Sequence, residues 1–229
     1  MTIAISFILG LTLLFVWFKW QKSVRAEFIR TYHFPPGLFD KLQKKQPTLS
    51  TKDCQLTSRA LRQFFLVYLQ GGCRFVSMPS QVTDDLWHEF ILYTRNYQMF
   101  CRKAFGRFLH HTPAVVLSRE RQNNEGLRRV WWYACREENI DPRKPSRLPL
   151  LFALDAKFNI PGGYHYTPDC QALRRAGANE NNVGSVHCGG DFSSTDFDGS
   201  TDGFGDASGG GDGNGGDGGG CGGGCGGGD

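Results

Sequence analysis

A cluster of carboxylates and a histidine lies in residues 84–89, whose letters are DDLWHE. Residues three and four apart share one side of a helix, so both Asp84 and Asp85 can reach His88. A carboxylate that orients an imidazole is the arrangement of a general base or of a metal-bound histidine. Two further histidines follow a turn at Gly106 that is expected to reverse the chain. The zinc ligands predicted on this basis are Asp85, His88, His110 and His111.

The same cluster also fits a purely structural role, and the sequence leaves both interpretations open. In the structural alternative, Trp87 and His88 pack in the core, and His88 bonds to a carboxylate or to a backbone carbonyl. The protease motif HExxH is absent, because residues 91–92 are Ile-Leu where a second histidine is needed. The enzymatic alternative is a zinc-dependent hydrolase that uses Asp85, His88 and His110 or His111.

A second group of histidines and cysteines lies between residues 165 and 188. Two histidines and two cysteines can form a tetrahedral zinc site. Their spacing is unfavourable for this, because two of the ligands are adjacent and the usual paired knuckle is absent. The alternative is a solvent-exposed margin without a metal. The members of this group are His165, Cys170, His187 and Cys188.

The N-terminal segment is predicted to anchor the chain in a membrane. Residues 3–18 carry no charge, and with the first two residues they form about 18 residues, or about 27 Å of helix. A cleaved signal peptide fits less well, because no basic region precedes the apolar run and no small-x-small site follows it. Trp17 and Trp20 stand where an interfacial aromatic belt would lie.

The basic residues after this segment predict its direction. No charged side chain precedes the apolar run, whereas Lys19, Lys22, Arg25 and Arg30 follow it. By the positive-inside rule, the N-terminus is expected outside and the rest of the chain in the cytoplasm, at the inner membrane if the source is bacterial. Thiols stay reduced in the cytoplasm, so the eight cysteines are expected to be free.

Charge is divided unequally along the chain. Residues 191–229 contain eight Asp and no Lys or Arg, so the preceding residues carry a net charge of +12. A basic body beside an anchor favours binding to the anionic leaflet of a membrane. Nucleic acid is the less favoured partner, because no nucleic-acid-binding motif is present. An exposed Trp132 beside Arg128, Arg129 and Arg136 would add a contact to the membrane surface.

Apolar residues at spacings of three and four predict a helical body. Ser50 or Thr51 is expected to cap one helix, with Asp53 in its first turn. With little signal for a parallel sheet, the fold class is an all-α bundle of five or six helices beside one transmembrane helix. The predicted helices cover residues 21–32, 36–45, 51–70, 80–105, 115–123 and 125–138, and residues 148–158 form either a helix turn or a strand.

The last segment is rich in Gly and Asp and is predicted to be disordered, because it cannot bury enough apolar surface to offset its ordering entropy. The expected organisation therefore has five parts. They are a transmembrane anchor (1–20), a basic juxtamembrane helix and linker (21–49), a helical body (50–160), a loop-rich margin (161–190) and the tail (191–229).

The stretch from Met78 to Leu92, with Tyr97, Cys101 and residues 105–111, resembles the glycine-rich domain-containing protein family of plants and bacteria. That family is similar in having Pro-Ser, then Asp-x-x-Trp-His or Asp-x-Trp-His, then a Tyr, and then Phe-Gly with a nearby His. A glycine-rich C-terminal stretch is also typical of it. The resemblance extends over about residues 50–158, and the anchor departs from the plant members. It implies a fold and an organisation, and no catalytic activity.

The function favoured by the sequence is that of a membrane-tethered, non-enzymatic interaction or scaffold protein. Its body would bind an unidentified protein partner, and its tail would act as a spacer. The P-loop, the GxSxG nucleophile motif and the dinucleotide-binding glycine motif are all absent. The zinc-dependent hydrolase described above is the alternative.

Overall fold

The computed structural model describes residues 2–111, 121–168, 186–188 and 192. Within these residues the chain is mostly helical, as expected, but two short strands depart from the all-α prediction. The first part of the helix predicted for residues 115–123 lies outside the described residues, as do Cys170 and the tail after residue 192. The predicted break between that helix and the next, at residues 125–138, is wrong, because a single helix runs from Arg121 to Glu137. The elements are α1 (Thr2–Thr31), α2 (Leu38–Lys45), α3 (Thr51–Gln70), α4 (Gln81–Leu92), α5 (Thr94–Phe105), α6 (Arg121–Glu137), α7 (Leu150–Phe158), β1 (His165–Thr167) and β2 (Val186–Cys188).

Helix α1 is unbroken, and its two halves meet different surroundings. Residues 2–20 are exposed, whereas Ile29 in the last turns is completely buried. Among the described residues α1 alone is long and apolar enough to cross a membrane, a description that N-terminal signal sequences share. The helix runs without a break from the apolar run into the basic segment that was predicted to be helical over residues 21–32.

Helix α3 is the central element, and α1, α2, α4, α6 and α7 all pack against it. Its start is a capping box, in which Ser50 Oγ accepts from the Asp53 amide at 3.3 Å and Asp53 Oδ2 accepts from the Ser50 amide at 2.9 Å. The predicted cap is therefore confirmed. The core contains a group of buried aromatic residues from α3, α4 and α5, which are Phe64, Phe65, Trp87, Phe90, Tyr97, Phe100 and Phe105.

The single long helix predicted for residues 80–105 is wrong, because the chain breaks at Tyr93 into α4 and α5. Tyr93 has φ −80° and ψ 61°, outside the helical region. The break lets Phe90 and Phe100 pack with ring centroids 5.6 Å apart. In a straight helix, residues ten apart would be separated by about 15 Å. Packing on a shared core therefore outweighs the continuous helical pattern.

The C-terminal part of the described chain adds a helix and a small sheet. Residues 150–158 are helical, which decides between the two alternatives for this segment. Strands β1 and β2 pair in parallel, with Tyr166 opposite His187 and Thr167 opposite Cys188. Strands of three residues are too short to give a periodic sequence signal, so the sheet was not predictable from alternation. Phe152, Tyr166 and Phe192 pack together beneath it.

Candidate metal centre

Asp84 and His88 lie one turn apart on the same side of α4. His88 Nδ1 is 2.9 Å from the backbone carbonyl oxygen of Asp84 and 3.3 Å from the Asp84 carboxylate oxygen Oδ2. A neutral His88 that donates from Nδ1 to this carbonyl presents an unprotonated Nε2. Metal-bound histidines commonly make such a second hydrogen bond, which fixes the ring and its tautomer.

His111 approaches the same carboxylate from the loop that follows α5. Its Nε2 lies 3.0 Å from Asp84 Oδ1, and its ring centroid is 4.2 Å from that of His88. The indole of Trp87 contacts the His111 ring edge-to-face at 4.5 Å and limits its rotation. The carboxylate of Asp84 is thus held between two imidazoles from two different elements.

Together these three residues form the one group of candidate metal ligands found among the described residues. Their ligand atoms all lie within 4.8 Å of one another. The side chains are partly accessible, with exposed fractions of 43% for His88, 22% for Asp84 and 13% for His111. Solvent therefore reaches the cluster from the His88 side, while the His111 side is enclosed.

A buried hydrogen-bond chain holds the loop that carries His111. Gly106 adopts a left-handed φ of 73° that ends α5 and turns the chain back. Tyr97 then donates from its hydroxyl to the Leu109 carbonyl at 2.6 Å and accepts from Trp87 Nε1 at 3.2 Å. Burial raises the pKa of Tyr97, so its hydroxyl stays a donor at any physiological pH. His111 is two residues beyond this fixed point.

The N-terminus of α4 is fixed by one buried carboxylate, that of Asp155 in α7. It accepts hydrogen bonds from the Ser80 hydroxyl at 2.8 Å and from the amides of Gln81 and Val82 at 2.7 and 3.1 Å. It also accepts from the Tyr164 amide at 2.9 Å. A negative charge at a helix N-terminus complements the free amides and the helix dipole. Asp155 therefore sets the position of α4 and hence of Asp84 and His88.

Tyr164 lies at the margin of the cluster, and sequence reasoning missed it. Burial raises the pKa of Tyr164, and the negative charges of Asp84 and Asp155 raise it further. Its side chain is 39% exposed. No local pattern connects a tyrosine in this loop with α4, because the connection runs through Asp155.

Asp85 and His110, which the sequence placed in the candidate zinc site, lie outside the cluster. The Asp85 carboxylate accepts from Lys45 Nζ at 3.0 Å and from Gln46 Nε2 at 3.1 Å, on the side of α4 that faces α2. Glu89, on the same side, is 3.7 Å from Lys41 Nζ. The His110 side chain is exposed and packs on Phe108, with ring centroids 4.8 Å apart. Asp84 takes the place predicted for Asp85, while His88 and His111 are brought together.

The second predicted group falls partly outside the described residues. His165 is exposed, and the sheet register places it opposite Val186, with Tyr166 opposite His187 and Thr167 opposite Cys188. Cys170 is not among the described residues. A zinc site at His165, Cys170, His187 and Cys188 stays a prediction.

The residues predicted to meet the membrane divide between two places. Trp17, Lys19 and Trp20 are exposed on the first half of α1. Lys22 and Arg25 contact the body, where they donate to the carbonyls of Gln70 at 3.1 Å and Phe105 at 3.2 Å.

Trp132 has surroundings that differ from those expected. It is half-buried, with the Arg143 guanidinium 6.0 Å from its ring centre. Arg128 and Arg129, expected on the surface around it, are buried. A membrane contact by Trp132 stays a prediction. Cys54, Cys73, Cys101 and Cys135 are free thiols.

Comparison with known proteins corrects the family suggested by the sequence motifs. The resemblance to glycine-rich domain-containing proteins is wrong, because the family model that matches is UCP032817-like, over residues 24–192. The motif residues have structural roles in this chain: Ser80 caps α4, Trp87 packs on Phe64, and Gly106 takes a left-handed conformation. No curated protein and no solved structure matches the chain. The family match covers most of the chain and includes Asp84, His88 and His111, so the chain belongs to the UCP032817-like family.

Proposed function

We propose that this chain is a single-pass membrane protein whose helical body binds a divalent transition metal, with zinc as the favoured ion. The observation that carries the proposal is the convergence of Asp84, His88 and His111 within 4.8 Å. One carboxylate and two imidazoles are a ligand set that zinc accepts. Two of the ligands come from one turn of α4 and the third from a separate loop, so a bound metal would tie the two elements together.

The spacing within the cluster supports this assignment. Zinc bonds of about 2.0–2.2 Å in a tetrahedron place neighbouring ligand atoms about 3.3 Å apart. Asp84 Oδ1 lies 3.0 Å from His111 Nε2, and one ligand atom from each of the three residues lies within 4.8 Å of the others. Small shifts of the side chains would bring these atoms to the spacing of a zinc site. Protons compete with a metal ion for the imidazole nitrogens, so the affinity of the site for zinc should fall as the pH is lowered.

Three protein ligands leave the fourth coordination position of a tetrahedral zinc ion open. If the site is catalytic, this open position supports a hydrolase. Catalytic zinc sites keep that position for water, whose ionisation the metal promotes. The exposed side of His88 would give a substrate access, and Tyr164 would supply a hydroxyl at the margin. The hydrolase alternative is accordingly assigned to Asp84, His88 and His111 instead of Asp85, His88 and His110.

A metal-free interaction protein is the second candidate, and one observation favours it. One nitrogen of each imidazole already has a hydrogen-bond partner, since His111 Nε2 bonds to the Asp84 carboxylate and His88 Nδ1 bonds to the Asp84 carbonyl. In this alternative the cluster only fastens the loop after α5 to α4. The body would then serve as a scaffold for an unidentified protein partner.

Either candidate includes the same proposed topology. The apolar half of α1 would cross the membrane with the N-terminus outside, because Lys19, Lys22, Arg25 and Arg30 lie on its C-terminal side. The body would then lie in the cytoplasm, at the inner membrane in a bacterium, and meet an anionic leaflet. The Gly- and Asp-rich segment after residue 190 would act as a spacer.

Metal analysis of the full-length chain, purified in detergent, tests the proposal. After incubation with zinc and removal of unbound metal, the wild type should retain about one zinc per chain more than His111→Ala or Asp84→Asn. The adjacent residues provide matched controls, so His110→Ala and Asp85→Asn should retain as much zinc as the wild type. Cobalt substitution separates this site from cysteine sites, because only thiolate ligands add sulfur charge-transfer absorption.

Two outcomes would contradict the metal proposal. Equal zinc content in the wild type and in all four variants would assign any bound metal to other residues. An absence of zinc from the wild type, with an unchanged melting temperature in chelator, would leave the metal-free interaction protein. Circular dichroism of each variant checks that the compared chains are folded.

A further inference from the structure

Two cations of α1, where this helix joins the body, lie at the C-terminal ends of α3 and α5. Lys22 donates to the carbonyl of Gln70, the last residue of α3, at 3.1 Å. Arg25 donates to the carbonyl of Phe105, the last residue of α5, at 3.2 Å. Cations at helix C-termini satisfy free carbonyls and complement the negative end of the dipole. These two side chains thus fix the body to the helix that leaves it.

Both helices run antiparallel to α1, so their C-termini face its apolar half. Along α3, Arg62 bonds to Tyr32 while Gln70 bonds to Lys22. Along α5, Phe100 contacts Phe28, with ring centroids 5.8 Å apart, while Phe105 bonds to Arg25. In each pair, a later residue of α3 or α5 meets an earlier residue of α1. The loops after Gln70 and Phe105 therefore lie at the end of the body nearest to the exposed, apolar part of α1.

Two further arginines in these loops add to the positive charge. Arg107 follows α5 and Arg74 follows α3, and both are exposed. Burial raises the pKa of the nearby Cys73 thiol, and the positive charges of Arg107, Arg25 and Lys22 oppose that rise. The sequence contains no Asp or Glu in residues 2–26, 66–83 or 95–118, which include both loops and the adjoining part of α1.

We propose that this basic collar, formed by Lys22, Arg25, Arg74 and Arg107, binds the phosphate groups of anionic lipids in the leaflet that α1 leaves. The inference rests on the proposed insertion of α1 in a membrane and does not depend on the metal site. Trp20 is exposed two residues before Lys22, about 3 Å along the helix axis, so the collar lies at headgroup depth. The exposed Phe75, next to Arg74, supplies an apolar contact of the kind found at membrane interfaces.

Lys22 and Arg25 are unsuitable for mutation, because they also support the fold, whereas Arg74 and Arg107 are exposed. The test variant is therefore Arg74→Gln with Arg107→Gln. The matched control is Arg59→Gln with Arg95→Gln, because these exposed arginines lie in the first halves of the same two helices, away from the collar.

Native mass spectrometry of the full-length chain in detergent micelles measures the binding of added lipid. For the wild type and the control, phosphatidylglycerol should bind with a lower Kd than phosphatidylcholine. The collar variant should raise the Kd for phosphatidylglycerol by about fivefold per arginine, or about 25-fold, and leave that for phosphatidylcholine unchanged. Inorganic phosphate in millimolar excess should not displace the lipid, because the collar is proposed to bind a phosphate group that is held beside α1 by its acyl chains.

Each result has a separate meaning. A chain that inserts in micelles but binds both lipids equally, or whose two double variants behave alike, would overturn the collar. Displacement by inorganic phosphate would overturn the assignment to lipid and point to a free anion. A chain that fails to fractionate with membranes would contradict the proposed tether itself, and zinc retention, measured on the same samples, reports on the metal site independently.

Discussion

Helix α4 presents two acidic surfaces of similar composition that have opposite surroundings. The Asp85 side, formed by Asp85 and Glu89, faces α2, and both carboxylates are matched by lysines at 3.0 and 3.7 Å. The Asp84 side, formed by Asp84 and His88, faces the loop after α5, and the ion-pair partners of its carboxylate in the described part of the chain are the imidazoles of His88 and His111. Lysine cannot bind a metal while it is protonated, whereas a neutral imidazole can.

This difference shows that the neighbouring element, and not the residue type, decides which carboxylate is available for chemistry. The docking of α2 neutralises Asp85 and Glu89 in ion pairs that join two helices. The loop from Gly106 to His111 brings a second imidazole to Asp84 instead. One side of α4 therefore contributes to the fold, and the other is the candidate metal centre.

The largest expected effect comes from Asp155, which supports both sides of α4 at once. Asp155→Ala leaves the amides of Gln81, Val82 and Tyr164 without their acceptor, and should lower the free energy of unfolding by about 3 kcal/mol or more. Zinc retention should fall with it. Asp40→Ala removes an exposed carboxylate in the first turn of α2 and should cost less than about 1 kcal/mol. Equal melting temperatures of the two variants would show that Asp155 does not hold α4.

A smaller effect, confined to the Asp84 side, is expected from Tyr97→Phe. It removes the hydrogen bond to Leu109 and leaves Trp87 Nε1 unpaired, which should cost about 1–3 kcal/mol in chemical denaturation. Because His111 then loses its fixed support, the Kd for zinc should rise, while the Asp85 side is unaffected.

Tyr93→Phe is the matched control for this experiment. Its hydroxyl makes one exposed hydrogen bond, to the Pro36 carbonyl at 3.2 Å, so its loss should cost less than about 1 kcal/mol and leave zinc binding unchanged. Wild-type zinc affinity in Tyr97→Phe would mean that the loop is positioned by other contacts.

The smallest effect concerns the Asp85 side alone. A double-mutant cycle of Lys45→Gln and Asp85→Asn should give a coupling energy of about 1 kcal/mol or less, because Lys45 is largely in solvent. The more distant pair, Lys41 and Glu89, should couple more weakly still. Loss of zinc in any of these variants would break the distinction between the two sides of α4.

Much of the fold could be predicted from the sequence, because local signals mark it. The capping box at Ser50, the continuation of α1 and the helical content of α3 and α6 follow from spacing and end signals. The break at Tyr93 could not be predicted, since Phe90, Tyr97 and Phe100 keep helical spacing across it. The short parallel strands depend on a pairing between distant segments that leaves no periodic signal.

The candidate site was predictable in its residue types but not in its membership. The spacing showed that both Asp84 and Asp85 could reach His88. It could not show that α2 would pack on the Asp85 side of α4. The sequence also could not show which of His110 and His111 would reach α4, because neighbouring residues in a loop point in different directions. The hydrogen bond from Tyr97 to Leu109 fixes the loop and so decides between them. Asp155 and Tyr164 join the site through tertiary contacts alone.

The continuity of α1 has a mechanical consequence. One rigid helix both carries the apolar segment and contributes Ile29 to the core, with Lys22 and Arg25 fastened to two further helices. The body therefore cannot rotate independently of the apolar half of α1. Transmembrane helices adapt to bilayer thickness by tilting. Under the proposed insertion of α1, any such tilt would turn the whole body, and the open side of His88, through the same angle. Bilayer thickness would then set the direction in which the candidate metal centre faces.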